Sequence, residues 1–234
     1  MTLDAPELRP ATDDAPGLRD RKKARRREEI VAAARALFAR QGIDETTMND
    51  IADACGISAP TVFNYFGSKD GILIAIIDEG TRLAREGERA APRPAGTPLS
   101  DLLVALFSRI AARTLAIAAK RVWRHAEAAV IRHPGTEFSM TYQKVGDKLV
   151  ESIADVLAEY DLTIRAGISL SPDSLAIALH DLWMPCFIRL ITVEAMTLAD
   201  HDAMVRERLL PLVSVLFDDS SLSAPRRLRP RDDG

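Results

Sequence analysis

The stretch Thr47–Lys69 reads TMNDIADACGISAPTVFNYFGSK, and its punctuation decides the fold. Thr47 followed three residues later by Asp50 is a capping-box pattern, in which hydroxyl and carboxylate satisfy backbone N–H groups reciprocally and start a helix. The spacing predicts a short helix over 48–54 that buries Met48, Ile51 and Ala52. Gly56 ends it, since glycine takes a positive φ without a Cβ penalty. Ser58 is placed to cap a second helix, and Pro60 is tolerated because it falls in that helix's first turn. Gly67 breaks this helix after about Tyr65. Ala52 is small where two helices must cross closely, while Ile51, Ile57, Val62 and Phe66 supply a shared apolar wedge.

Two helices crossing through a short, glycine-containing turn form a helix-turn-helix, whose second helix can enter the major groove of DNA. The surface of that second helix agrees. Only Val62 and Phe66 are needed for packing, which leaves Thr61, Asn64 and Tyr65 beside Phe63. Asparagine can pair bidentately with adenine, threonine can meet an acceptor or a thymine methyl, and tyrosine can donate to phosphate. Lys69 opens the next helix, where the dipole disfavours a cation, so an external anion is its expected partner. The competing reading is a purely structural hairpin, which leaves this polar-aromatic face without a purpose.

Working outward, every periodic segment reads as helix and none alternates with the period of a strand. A first helix is predicted from about Arg25 to Gln41, burying Ile30, Ala34, Leu37 and Phe38, with Gly42 just past its end. A fourth runs from Lys69 to about Arg89. The segment Ala91–Pro98, APRPAGTP, is a linker. Beyond it longer helices are predicted: one starting at Thr97–Pro98, then about 121–132, 137–160, 172–195 and 198–217. The fold class is all-α, about nine helices, with a small N-terminal helix-turn-helix unit over 23–84 and a larger bundle over 85–218. Residues 1–22 and 219–234 are polar and proline-punctuated and are expected as disordered tails, because neither buries enough apolar surface to offset its ordering entropy.

The chain has 234 residues, 47% apolar and 28% charged, an ordinary soluble globular balance. Its longest unbroken apolar runs, Ile72–Ile77 and Leu102–Phe107, are far short of the roughly 20 residues of a membrane span, and no secretory signal is visible at the N-terminus. The expected location is therefore cytoplasmic. The net charge of −3 hides an asymmetry: residues 19–69 hold ten Lys/Arg against seven Asp/Glu, whereas 70–234 hold 20 against 23. Seven of the ten bases crowd into 19–27. Arg21–Arg27 is open to two readings, a solvated tail paired with Glu28 and Glu29 or an arm that neutralises phosphates.

The segment 25–85 resembles the DNA-binding domain of the tetracycline-repressor (TetR) family of bacterial regulators. The match rests on Thr47, Ile51-Ala52, Gly56-Ile57-Ser58 and the run Thr61–Phe66 followed by Lys69. Two positions depart from the family pattern: Phe63 stands where tyrosine is more usual, and Cys55 where alanine is. The resemblance implies backbone contacts from Thr47, Tyr65 and Lys69, and base contacts from Ala59, Pro60, Thr61 and Asn64, with Phe63 on the same face. It further implies a homodimer reading a roughly palindromic operator of double-stranded DNA, and a variable C-terminal domain that binds a small effector.

For the larger unit, Phe107, Trp123, Phe138, Met140, Tyr142, His180, Trp183, Met184 and Phe187 are candidate walls of a pocket for a small apolar or amphipathic effector, with His180 and Tyr142 orienting it; plain core is the alternative. Pro185 should kink its helix. The helices at 172–195 and 198–217 are apolar over more than one face, which means burial on both sides and, within the resembling family, a dimer interface. Two cysteines and four scattered histidines offer no zinc spacing, so no metal or cofactor is expected, and no nucleophile elbow or phosphate loop points to an enzyme. The expected function is a transcriptional regulator, a repressor released by a small molecule; the alternative is a helical dimer that senses a ligand or partner and no longer reads DNA.

Overall fold

The structure is a computed structural model that describes residues 17–168 and 170–228. Among these residues there are ten helices: α1 Leu18–Gln41, α2 Met48–Cys55, α3 Ala59–Phe66, α4 Lys69–Arg89, α5 Leu99–Ile117, α6 Lys120–Arg132, α7 Glu137–Leu157, α8 Pro172–Thr192, α9 Leu198–Leu216 and α10 Asp219–Ser223. A two-residue ribbon, β1 Tyr160–Asp161 with β2 Arg226–Arg227, is the only sheet among them.

Helix α1 begins seven residues earlier than its apolar pattern suggests. Residues 18–24 bury nothing, so periodicity cannot register them. They are helical because Arg, Lys and Ala are strong helix formers, Asp20 suits the first turn, and Arg25 and Arg26 pair with Glu29 one turn on. The expected tail over 1–22 is therefore corrected for 18–22, and residues 1–16 lie outside the described residues. The C-terminal tail is likewise corrected. Asp218 caps α10 through the N–H of Ser221, β2 pairs with β1, and Arg226 and Arg227 reach Asp161 and Glu159. These partners lie some 65 residues earlier in the chain, out of reach of any local pattern. Residues 229–234 lie outside the described residues.

The helices α1, α2 and α3 close around Ile30, Ala34, Phe38, Ile51 and Val62, all fully buried. Helix α4 runs unbroken across residues 84 and 85, so the two units share one helix. It packs on α5 and α7 as well as on α1 and α3. At Gly80 the approach of α4 to α5 is so close that a Cβ would lie 2.5 Å from Ile117 Cγ1. In the larger unit α7 packs on α8, and α9 on α5 and α8. Helix α8 is long and apolar enough to cross a bilayer, but here Leu175, Leu179, Trp183, Cys186 and Leu190 are buried against its neighbours. Pro185 sits inside it.

Candidate nucleic-acid interface and an apolar cavity

The capping box at the start of α2 is complete: Thr47 N donates to Asp50 Oδ2 at 2.8 Å and Asp50 N to Thr47 Oγ1 at 3.1 Å. The N–H of Thr47, with its hydroxyl, holds the Asp50 carboxyl below the usual carboxylate range. Gly56 closes the turn in the left-handed region, φ 62°, and its N–H and that of Ile57 return to the end of α2. One residue before the box, Thr46 is fully buried and its hydroxyl donates to the carbonyl of Gly42 at 2.6 Å, a brace that the sequence reading missed.

Helix α3 presents the expected face. Pro60, Phe63 and Asn64 are exposed, Ala59, Thr61 and Tyr65 are half-buried, and Val62 is buried beneath them. Ser58 occupies the N-cap position, but its hydroxyl meets Thr61 Oγ1 at 2.8 Å instead of a backbone N–H. Lys69 has an internal partner. Its Nζ donates to the carbonyls of Ile43 at 2.7 Å and Asp44 at 3.2 Å, tying the start of α4 to the turn between α1 and α2. An external anion is therefore not needed to explain this lysine.

The basic run continues α1 as a helix alongside α3. Arg19, Lys22, Lys23, Arg25 and Arg26 share a groove with Thr61 and Tyr65, and the Arg27 guanidinium lies 5.2 Å above the ring of Phe66.

Inside the larger unit a cavity opens among α4, α5, α6, α7 and α8, with about 110 Å³ open to the centres of water-sized molecules. Six of the nine expected wall residues line it: Trp123, Tyr142, His180, Trp183, Met184 and Phe187. The other three do not. Phe107 is fully buried behind the wall, stacked on Trp183 at 5.4 Å; Phe138 stacks behind Tyr142 at 5.9 Å; Met140 is 51% exposed.

Sequence reading missed the charged lining. Glu88 is buried beneath Arg93, Arg109 and Arg113, accepting from Arg109 at 2.7 Å, and both Glu88 and Arg113 reach the cavity. Glu127 accepts from the Tyr142 hydroxyl at 2.7 Å. Burial, reinforced by that carboxylate, pushes the Tyr142 hydroxyl far up, so it remains a neutral donor. Spacing held one clue, since Glu127 follows Trp123 by one helical turn and so shares its face.

Helix α6 joins the two regions. It carries Trp123 and Glu127 into the cavity, while Arg121 donates to the carbonyl of Arg40 at 3.1 Å and His125 sits 3.5 Å from Asp44 and 3.9 Å from Asp70. Among the described residues no cluster of His, Cys, Asp or Glu could hold a metal ion.

A three-helix unit with a helix-turn-helix is joined to a larger helical bundle through the shared α4. Residues 30–76 match the family described as bacterial regulatory proteins, tetR family. The match covers the helix-turn-helix segment and not the larger bundle. The HTH-type transcriptional regulator TcmR of Streptomyces glaucescens is 37% identical over 94 residues, 39% of this chain and 41% of that protein. The chain thus aligns with less than half the length of the curated relatives it matches. A regulator assigned to the TetR family from Mesorhizobium loti MAFF303099 superposes with a TM-score of 0.63 at 18% identity, covering 84% of this chain and 99% of that one. Thermus thermophilus FadR, a TetR-family repressor solved with lauroyl-CoA, gives 0.56 at 24% identity, covering 89% and 100%. At these identities the likeness is one of fold.

Proposed function

We propose that this chain is a homodimeric, sequence-specific transcriptional regulator, a repressor released by a small effector. The observation that carries the reading is the exposed face of α3 beside the basic flank of α1. Asn64 stands free at the surface and Phe63 is 49% exposed, which is wasteful for a merely structural helix but suits base edges and thymine methyls. Asn64, Thr61, Ala59 and Pro60 would read bases, with Phe63 packing against them. Thr47, Tyr65 and Lys69 would hold the phosphate backbone. The groove that α1 shares with Thr61 and Tyr65 supports a phosphate role for residues 19–26 as well.

Dimerisation would use α8 and α9. Ile177, Leu182, Leu212 and Val215 stand 52, 40, 50 and 75% exposed on them, an apolar outer face to set against a second copy. The effector would occupy the cavity, and α6 would carry its effect to α1 through Arg121 and His125. That the similarly folded Thermus thermophilus FadR holds lauroyl-CoA supports an effector role for the cavity without naming its ligand. Such a release works as a population shift, limited by the effector's differential affinity for the two states.

The test is a titration of the purified protein against the DNA upstream of its own gene, with excess random competitor, at two salt concentrations. Competitor-resistant binding that weakens steeply with salt is expected. Binding no stronger than to the competitor would favour a dimer that senses a ligand without reading DNA.

A further inference from the structure

The charges that line the cavity are not evenly paired. Arg85 meets Glu151, and Arg113 meets Glu88, which also holds Arg93 and Arg109. Glu127 is different. Its side-chain hydrogen bond is with the neutral hydroxyl of Tyr142, and no cation among the described residues pairs with it. It sits one helical turn from Trp123, whose ring lies 6.4 Å from that of Tyr142. A second acceptor on the wall, unlike Glu127, lacks any donor. His180 Nε2 is buried in the cavity wall without a hydrogen-bond partner, while Nδ1 lies 3.3 Å from Asp181 Oδ1. That neighbour favours the proton on Nδ1 and leaves Nε2 to accept.

A carboxylate without a counter-ion, an imidazole nitrogen without a donor and a wall of aromatic faces make one demand. A ligand that meets it brings positive charge and N–H or O–H donors on an apolar frame. Aromatic faces attract a cation directly through their quadrupole, and more strongly where water is excluded. Resting on the reading of this cavity as the effector site, we propose that its ligand is a protonated amine on an aromatic or other apolar body, with the ammonium at Glu127. A carboxylate ligand would bring a second negative charge to Glu127 and no donor for His180.

The test uses three probes on one frame: 2-(1-naphthyl)ethylammonium, 2-(1-naphthyl)ethanol and 3-(1-naphthyl)propionate. Both tryptophans of the chain, Trp123 and Trp183, line the cavity, so quenching of their fluorescence reports occupancy in the full-length protein. The ammonium is expected to bind at least tenfold more tightly than the alcohol, with the propionate weakest. Glu127→Gln should remove the preference for the ammonium and leave the alcohol unchanged. Tyr142→Phe, which keeps the carboxylate and the ring, should retain it; this second variant separates loss of charge from loss of packing. Equal binding of all three, or tighter binding of the propionate, overturns the proposal while leaving the cavity an effector site. If none of the three binds, the effector-site reading fails and the proposal falls with it.

Discussion

The guanidinium of Arg121, in α6, donates to the carbonyl of Arg40, in the last turn of α1, at 3.1 Å. Two residues along α6, Trp123 forms part of the cavity wall. One rigid helix therefore touches both the cavity and the helix-turn-helix unit. Arg121→Ala should leave a cavity ligand's affinity unchanged and reduce its effect on DNA affinity severalfold. Isothermal titration of ligand with and without a bound DNA site measures that coupling, which must be the same from either side. Full coupling in the variant would place the route elsewhere, for example through α4.

Asn64→Ala should cost roughly 1–3 kcal/mol at a cognate site and relax the preference at one base pair. Lys69→Ala is expected to behave differently. The ammonium spans two carbonyls of the turn between α1 and α2, so its loss should lower stability by roughly 1–2 kcal/mol and weaken all DNA sequences alike. Thermal melts alongside binding curves at several salt concentrations separate the two effects. An unchanged melting temperature would show that the lysine serves the DNA alone.

Glu88 is 4% exposed beneath three guanidiniums. Replacing it by glutamine keeps the shape and leaves those cations facing one another, Arg93 being buried with it. Breaking one side of a buried ionic cluster costs about 3–5 kcal/mol, and urea unfolding of Glu88→Gln should show a loss of that order. A loss below about 1 kcal/mol would mean that solvent already screens the cluster.

His201 is fully buried, and its Nε2 accepts the indole N–H of Trp183 at 3.0 Å, a role that requires the neutral ring. Burial pushes its pKa below the ordinary value, although Asp202 pulls the other way. The unfolded chain takes up this proton near pH 6.5, about the ordinary value, whereas the folded chain resists. The contribution of His201 is therefore complete above about pH 6.5 and declines as the pH falls from there towards the folded value. His201→Gln offers an acceptor that does not titrate, and its melting temperature should fall less than wild type between pH 7 and 5. Parallel pH profiles for the two proteins would remove His201 as a source of the acid sensitivity.

Much of this architecture is legible in the sequence because the signals are local. Thr47 with Asp50, Gly56 and Gly67 mark helix ends to within a residue or two, and the apolar spacing of Ile30, Ala34, Leu37 and Phe38 marks what α1 buries. The extra turns of α1 escape because a helix of Arg and Lys that buries nothing has no period to read. The ribbon at 226–227 escapes because its stabilising partners, Glu159 and Asp161, are distant in sequence. At the cavity, aromatic residues on several helices are visible in advance, but their sides are not. Phe107 and Phe138 turn behind the wall, while Glu88, indistinguishable in sequence from a solvated charge, and Glu127, marked only by its spacing from Trp123, turn into it. Lys69 shows the limit of a dipole argument, since the carbonyls that satisfy it come from a turn some 25 residues away.

Selection of binding sites from a random double-stranded DNA library by the purified full-length protein tests the proposed function most directly. The enriched sequences should converge on a two-fold symmetric motif with half-sites about one helical turn, roughly 34–36 Å, or a multiple apart. Their affinity should fall steeply with salt, and Asn64→Ala should blur one position in each half. Absence of enrichment, or an asymmetric motif bound by a monomer, would contradict the reading of this chain as a dimeric, operator-reading regulator.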